Sequence, residues 1–277
     1  MQKTILKIKM LYPKMGKAEK KIADWIMENP NGLIPLSITE LAEKCSCGEA
    51  TIVRFARRLE LGGYQELKIS IAQEEGSSEL TDGITENDSC FRIFDKVSND
   101  IYCSLEATKK EIDSDALENA AKALLEANQI MIYGLGNSAS VALDFEHKML
   151  RAGLCAKSFS DNHMQAITAS HLTKKDVAIG ISHSGSSKDI VDALKIAKHR
   201  GALTIAITNK GKSPITKTSD ITLFTSSNET QYTIFGLNSR ISQLAIISSL
   251  YYYIAYHKDI STEAIDMTEI SLQNKKY

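Results

Sequence analysis

Residues 176–190 read DVAIGISHSGSSKDI: an apolar run stops at a loop of four serines around one glycine, and a helical pattern follows. The same rhythm extends on both sides. From residue 129 the chain reads QIMIYGLG, SASVALDFEHKMLRAG, LCAKSF, NHMQAITASHL, DVAIGISHSG, SKDIVDALKIAKHRG and LTIAITN, so short apolar runs alternate with helical ones. Residues 220–224 add a further strand, and residues 233–257 read as a long apolar helix. Alternation of this kind predicts a doubly wound α/β domain, a parallel five-stranded sheet with helices on both faces. Ligands in such folds sit at the carboxyl ends of the strands. The serine loop falls at one such end, and residues 134–138 (GLGNS) fall at another.

The loop's composition points to phosphate. Ser182, Ser184, Ser186 and Ser187 supply hydroxyls, and Gly185 allows a tight turn. A helix starting near Ser187 aims its unpaired N–H groups into the same loop, a setting that binds anions. No lysine stands inside the loop, which suits a small exchangeable phosphate ester better than a nucleoside triphosphate. Gly134 and Gly136 make only half of a dinucleotide fingerprint, because its third glycine falls at Ala139.

The first seventy residues have a different character. KAEKKIADWIME (residues 17–28) places Ala18, Ile22, Trp25 and Ile26 on one helical face, and Asn29-Pro30-Asn31-Gly32 stops it. SITELAEK (residues 37–44) opens with Ser37 as cap and Glu40 three places on, a capping box. After a short turn at residues 45–48, EATIVRFARRL (residues 49–59) buries Ile52, Phe55, Ala56 and Leu59 and leaves Thr51, Arg54, Arg57 and Arg58 largely outside that stripe. Two short helices joined by a tight turn, the second rich in arginine, form a helix-turn-helix, whose second helix enters the DNA major groove. Residues 74–88 (EEGSSELTDGITEND) read as a linker, and residues 91–125 return to helical spacing as two helices.

Bulk properties bound the rest. The chain has 277 residues, 43% hydrophobic and 24% charged, with a net charge of −1. Charge is uneven: residues 1–70 hold 12 Lys/Arg against 8 Asp/Glu, whereas residues 78–129 hold 5 against 12. A basic start before an acidic stretch fits two modules with different partners. Five cysteines with no secretory segment read as reduced thiols of a cytoplasmic protein. Cys45-Ser-Cys47 has no second pair, so no metal site is expected, and no apolar run is long enough for a membrane span.

The second module resembles the SIS (sugar isomerase) domain of phosphosugar isomerases and phosphosugar-sensing regulators. The resemblance rests on GLGNSA (134–139), SHSGSSKDI (182–190), AKHRGALTIAITN (197–209) and SNE (227–229). The first resembles the helix-turn-helix domain of RpiR-family bacterial regulators, through residues 37–59 and GGYQELK (62–68). It departs from that pattern in Gly48, where serine usually caps the recognition helix, and in Glu60, where glycine is usual. Glycine caps slightly less well than serine. A glutamate in left-handed geometry carries a steric cost and adds negative charge near DNA.

The resemblance implies an organisation and a set of sites. Residues 1–77 form the DNA-binding domain, residues 78–121 the linker and helical connection, and residues 122–277 the phosphosugar-binding domain. The phosphosugar effector is held by Asn137, Ser138, Ser182, His183, Ser184, Gly185 and Ser187, with Glu229 accepting hydrogen bonds from sugar hydroxyls. His163 and Glu146 are lesser candidates near the ligand. Arg54 meets phosphate or base, Thr51 and Arg58 face the groove, Arg57 and Lys68 meet phosphates, and Glu49 and Ala50 face bases. The implied protein is a non-enzymatic, cofactor-free transcriptional regulator of carbohydrate genes, a homodimer or homotetramer on double-stranded operator DNA. The rival expectations are a sugar-phosphate isomerase with an appended helix-turn-helix, and a DNA-binding protein whose second domain serves assembly alone.

Overall fold

The computed structural model describes residues 4–75, 84–227, 237–257 and 270. Two compact units divide the chain, the first built mainly on residues up to 103 and the second mainly on those from 104 onward.

The first unit is all helical. Its elements are α1 (Thr4–Leu11), a 3-10 turn (Tyr12–Lys14), α2 (Lys17–Glu28), α3 (Pro30–Leu33), α4 (Ile38–Lys44), α5 (Glu49–Arg58), α6 (Tyr64–Glu75) and α7 (Cys90–Glu111), which runs on into the second unit. The capping box at Ser37 and Glu40 is present: the Glu40 N–H donates to Ser37 Oγ at 3.2 Å, and the Ser37 N–H donates to Glu40 Oε2 at 2.8 Å. The stripe of α5 is buried as its spacing predicts, with Ile52, Phe55, Ala56 and Leu59 all at most 2% exposed. One expectation is corrected. In α2 the core residue is Ala23, and Ala18 is exposed, because Ala18 lies in the first turn outside the packed stretch. The stop expected at residues 29–32 is present, since α2 ends at Glu28 with Asn29 as its C-cap, and Pro30 opens α3 from its first turn, where its missing N–H costs no hydrogen bond. Ile8 of α1 and Leu67 and Ile71 of α6 complete the core, so the bundle holds more helices than the three that periodicity marked.

The second unit continues with α8 (Ser114–Glu126), β1 (Ile130–Gly134), α9 (Asn137–Arg151), β2 (Ala156–Phe159), α10 (Asn162–Ser170), β3 (Val177–Ile181), α11 (Lys188–His199), β4 (Leu203–Asn209), β5 (Ile221–Thr225) and α12 (Leu237–His257). The five strands are all parallel in the order β2-β1-β3-β4-β5. β1 to β2 steps one way along the sheet, and β2 to β3 and β3 to β4 step the other. Right-handed crossovers therefore put α9 on one face and α10 and α11 on the opposite one. Burial agrees: α8, α9 and α12 share one core with Ile130, Ile132 and Ile179, whereas α10 and α11 share another with Tyr133, Ala178 and Ala206. The chain reverses its winding between β1 and β3, whose carboxyl ends lie side by side with Gly134 opposite Ile181. Among the described residues no helix is long and apolar enough to cross a membrane.

Candidate functional site

The winding reversal fixes where a ligand fits. Helices that leave adjacent strands for opposite faces open a crevice at their carboxyl ends. Both loops singled out in the sequence start there, one from Gly134 and one from Ile181. Gly134 has to be glycine, since a Cβ would stand 2.6 Å from the Ser138 carbonyl oxygen. Its absence lets the chain fold back so that α9 begins at Asn137, with the Ser138 N–H on the Leu135 carbonyl at 3.1 Å.

The serine loop is built as tightly. Gly185 has φ +60, a left-handed value, and its N–H donates to the Ser182 carbonyl at 3.1 Å. The end of β4 holds the loop's outer strand: the Asn209 N–H and Thr208 Oγ1 donate to the His183 carbonyl at 3.0 and 3.3 Å. The Ile215 N–H fixes the Gly185 carbonyl at 3.0 Å. Ser182 Oγ and Ser187 Oγ converge to 3.1 Å, and Ser184 Oγ accepts from the Ser186 N–H at 3.3 Å. Ser182 is buried, while Ser184, Ser186 and Ser187 are half-buried at the loop's open side. Ser187 stands at the N-cap of α11 without using its hydroxyl as a cap, so the first N–H groups of that helix stay directed at the loop. The Ser182 and Ser187 hydroxyls thus lie beside the open N-terminus of α11, a donor set complementary to an oxyanion.

Asn137 is exposed and Ser138 half-buried on the neighbouring loop. Glu229 lies outside the described residues. Glu146 is taken up elsewhere. It is buried in α9, and its Oε2 accepts from the N–H and Oγ of Ser158 in β2, the former at 2.7 Å, while Oε1 meets Lys157 Nζ at 3.0 Å. Burial alone raises its pKa, but these bonds outweigh that and hold the carboxyl below its ordinary value. His163 is exposed in the first turn of α10. The parts that sequence reasoning missed are Thr208 and Asn209, which fix the serine loop from β4. They were hidden because their contacts are to a backbone carbonyl some 25 positions earlier.

In the first unit, α4 and α5 are joined by a turn in which Ser46 takes φ +49 and the Cys47 N–H bonds the Ala42 carbonyl at 2.9 Å. Gly48 is the N-cap of α5, as expected, and offers no side-chain cap. Glu60 does take the left-handed conformation, φ +64, and pairs with Lys7. The predicted DNA residues divide into two groups. Ala50, Arg54 and Arg57 are exposed and Thr51 half-exposed, with Arg54 Nη2 donating to Thr51 Oγ1 at 3.3 Å. The others bond to neighbouring parts of the bundle, Arg58 while itself exposed. Glu49 Oε1 accepts from Thr39 Oγ1 at 2.6 Å. Arg58 donates to Glu19 Oε2 and to the Lys14 carbonyl, both at 2.6 Å. Lys68 Nζ donates to the Leu36 carbonyl at 3.0 Å and lies 5.8 Å from the Tyr64 ring centre.

Known proteins match this architecture on both units. The model of the helix-turn-helix domain of the rpiR family matches residues 2–78, and that of the SIS domain matches residues 123–253. An HTH-type transcriptional regulator of Caldanaerobacter subterraneus subsp. tengcongensis is 40% identical over 243 residues, 87% of this chain and 86% of that protein. The HTH-type transcriptional regulator HexR of Pseudomonas aeruginosa is 32% identical over 252 residues, 90% of this chain and 88% of that one. In fold, the chain resembles the Vibrio vulnificus NanR protein complexed with ManNAc-6P, with a TM-score of 0.83 and 24% identity over 99% of each chain.

Proposed function

The chain belongs to the rpiR family of helix-turn-helix transcriptional regulators with a SIS domain, and from that premise we propose that it senses a phosphosugar and adjusts its grip on operator DNA in response. The observation that carries this reading lies at the carboxyl end of β3, where the Ser182 and Ser187 hydroxyls meet at 3.1 Å before the open N-terminus of α11. Asn137, Ser138, Ser182, His183, Ser184, Gly185 and Ser187 bind the phosphate end, with Glu229 on the sugar. NanR, whose fold this chain shares, is complexed with ManNAc-6P, which supports a ligand of the same chemical class.

On the DNA side Ala50, Thr51, Arg54 and Arg57 make the contacts, and Glu49, Arg58 and Lys68 hold α5 and α6 in the orientation that presents them. The active form is a cytoplasmic homo-oligomer that sets two helix-turn-helix units on half-sites roughly one DNA turn apart. It turns over no sugar phosphate, in keeping with relatives named as transcriptional regulators. The effector acts by binding one arrangement of the oligomer better than another.

Calorimetry with a panel of sugar phosphates, paired with anisotropy on duplex DNA, tests the reading. Ser184→Ala is expected to weaken the effector response and leave DNA binding without effector near normal, while Arg54→Ala does the reverse. Loss of DNA binding in Ser184→Ala with the effector response intact overturns the division of roles. Interconversion of any panel member by the purified protein overturns the non-enzymatic reading.

A further inference from the structure

Helix α7 buries side chains at one end only. Its buried residues are Ser104 and Thr108, one turn apart on the same face, and both stand in the part that belongs to the second unit. The stretch from Cys90 to Cys103 belongs to the first unit and buries none. Cys90 lies about 27 Å from Thr108 along the axis, so a tilt of about 5° at Thr108 moves that end by about 2 Å. Whatever positions Thr108 therefore sets the direction of the whole helix.

The end of β5 positions it. The Ser226 N–H donates to Thr108 Oγ1 at 3.0 Å, and the same hydroxyl donates to the Ser226 carbonyl at 3.2 Å. Thr108 is 4% exposed, so breaking this pair would strand buried polar groups. The next residue, Ser227, donates its N–H to Asn209 Oδ1 at 3.2 Å. Asn209 ends β4, and its own N–H donates to the His183 carbonyl of the serine loop at 3.0 Å. Thr208 braces the same joint: its Oγ1 donates to the His183 carbonyl, and its carbonyl accepts from Thr225 Oγ1, both at 3.3 Å. Hydrogen bonds thus run from the serine loop through Asn209 and Ser226–Ser227 to α7, entirely within the second unit.

A second tie runs beside this path. Lys210 Nζ meets Glu111 Oε2 at 2.5 Å, with 58% and 32% of the two side chains exposed. Solvent screens an ion pair in that setting and leaves it worth little, so the buried hydrogen-bonded path outweighs it.

We propose that Asn209 and Thr108 pass the state of the serine loop to α7, and that effector binding alters the grip on DNA by this path. The proposal rests on the phosphosugar reading above. A phosphate that gathers the loop's donors around itself shifts the His183 carbonyl with them. Asn209 follows that carbonyl, Ser227 follows Asn209, and Thr108 follows Ser226. The loop has one position when empty and another when filled, and α7 takes a matching direction in each, which supplies the differential affinity that regulation requires. Both are positioning residues, acting through their neighbours rather than on the ligand, so their loss uncouples the two binding events without abolishing either.

The test uses the full chain, with Thr108→Val, Thr108→Ser, Asn209→Leu and Glu111→Gln. Glucose 6-phosphate, fructose 6-phosphate, glucosamine 6-phosphate and inorganic phosphate are titrated by calorimetry. Anisotropy then follows a duplex that wild type selects from a random pool, with and without whichever of these ligands wild type binds most tightly. That ligand is expected to change wild-type duplex affinity by about 5–150-fold, the range of a typical coupling. Thr108→Val and Asn209→Leu are expected to cut the ratio to under about twofold, while ligand affinity and ligand-free duplex affinity each stay within about threefold of wild type. Thr108→Ser keeps the hydroxyl and the ratio, and Glu111→Gln keeps the ratio. A merely structural role lowers the melting point and both affinities and leaves the ratio in place. A wild-type ratio in both Thr108→Val and Asn209→Leu, collapse of ligand affinity in both, or loss of the ratio in Thr108→Ser or Glu111→Gln overturns the proposal while phosphosugar sensing stands. If wild type binds neither phosphate nor any sugar phosphate, or binds one with no change in duplex affinity, the sensing reading falls and this one with it.

Discussion

Arg57 and Arg58 are neighbours on α5, and replacing each with alanine separates support of the helix from contact with DNA. Arg58 donates to the Glu19 carboxylate and to the Lys14 carbonyl at 2.6 Å, with 35% of its side chain exposed. A buried hydrogen bond to a charged group contributes about 1.5–3 kcal/mol, and solvent screening reduces an exposed pair to under about 1 kcal/mol. Two such bonds at this partial exposure give about 1–2 kcal/mol for Arg58→Ala. In a unit of this size that lowers the melting midpoint by about 4–16 °C. Arg57 is exposed, so Arg57→Ala is expected to leave stability within about 0.5 kcal/mol of wild type. With Arg57 on a DNA phosphate, as proposed, its loss is expected to lower the slope of log affinity against log salt by about 0.9. Calorimetry of the helix-turn-helix transition and anisotropy on a random-sequence duplex over a range of salt read the two effects. The assignment is refuted if Arg58→Ala melts like wild type and lowers the salt slope, or if Arg57→Ala destabilises the unit.

Three other outcomes follow from the same geometry. Gly134→Ala sets a Cβ against the Ser138 carbonyl, so the start of α9 has to move; it is expected to cost about 1–3 kcal/mol and weaken sugar-phosphate affinity, and unchanged affinity in calorimetry would contradict the role of that loop. Glu146 and Asp220 are both held below their ordinary carboxylate values, so their stabilisation is complete above those values and is lost as pH falls through the lower folded ones. The second unit should therefore lose melting temperature from about pH 4 downward, with a shallower loss in Glu146→Gln; an identical profile in that variant counts against it. Glu60→Gly relieves a left-handed residue and removes an acid near the recognition helix, and is expected to tighten duplex binding most at low salt. Equal affinity at every salt concentration would show that Glu60 is too remote from the DNA to matter.

Much of this was legible in the chain itself because the signals were local. Each apolar run of the sheet is short and bounded, and Ser37 with Glu40 announces α4 within four residues. The Gly185 turn and the hydroxyls around it are contiguous, so the loop and its place after β3 could be read directly. What escaped depends on distant partners. The bonds of Glu49 to Thr39 and of Arg58 to Glu19 span 10 and 39 positions, so a helical wheel does not reveal them. Helix α1 was missed because TILKIKML mixes lysines among its apolar residues, and only packing within the first core makes Ile8 interior.

The bond between Glu146 and the Ser158 amide has a consequence for assembly. β2 is the outermost strand on its side, only four residues long, and an outward amide there would invite another chain to extend the sheet. A carboxylate already sits on that donor, backed by Lys157. An incoming strand would have to evict a buried anion before it could pair with that amide, which guards this stretch of β2 against extension of the sheet.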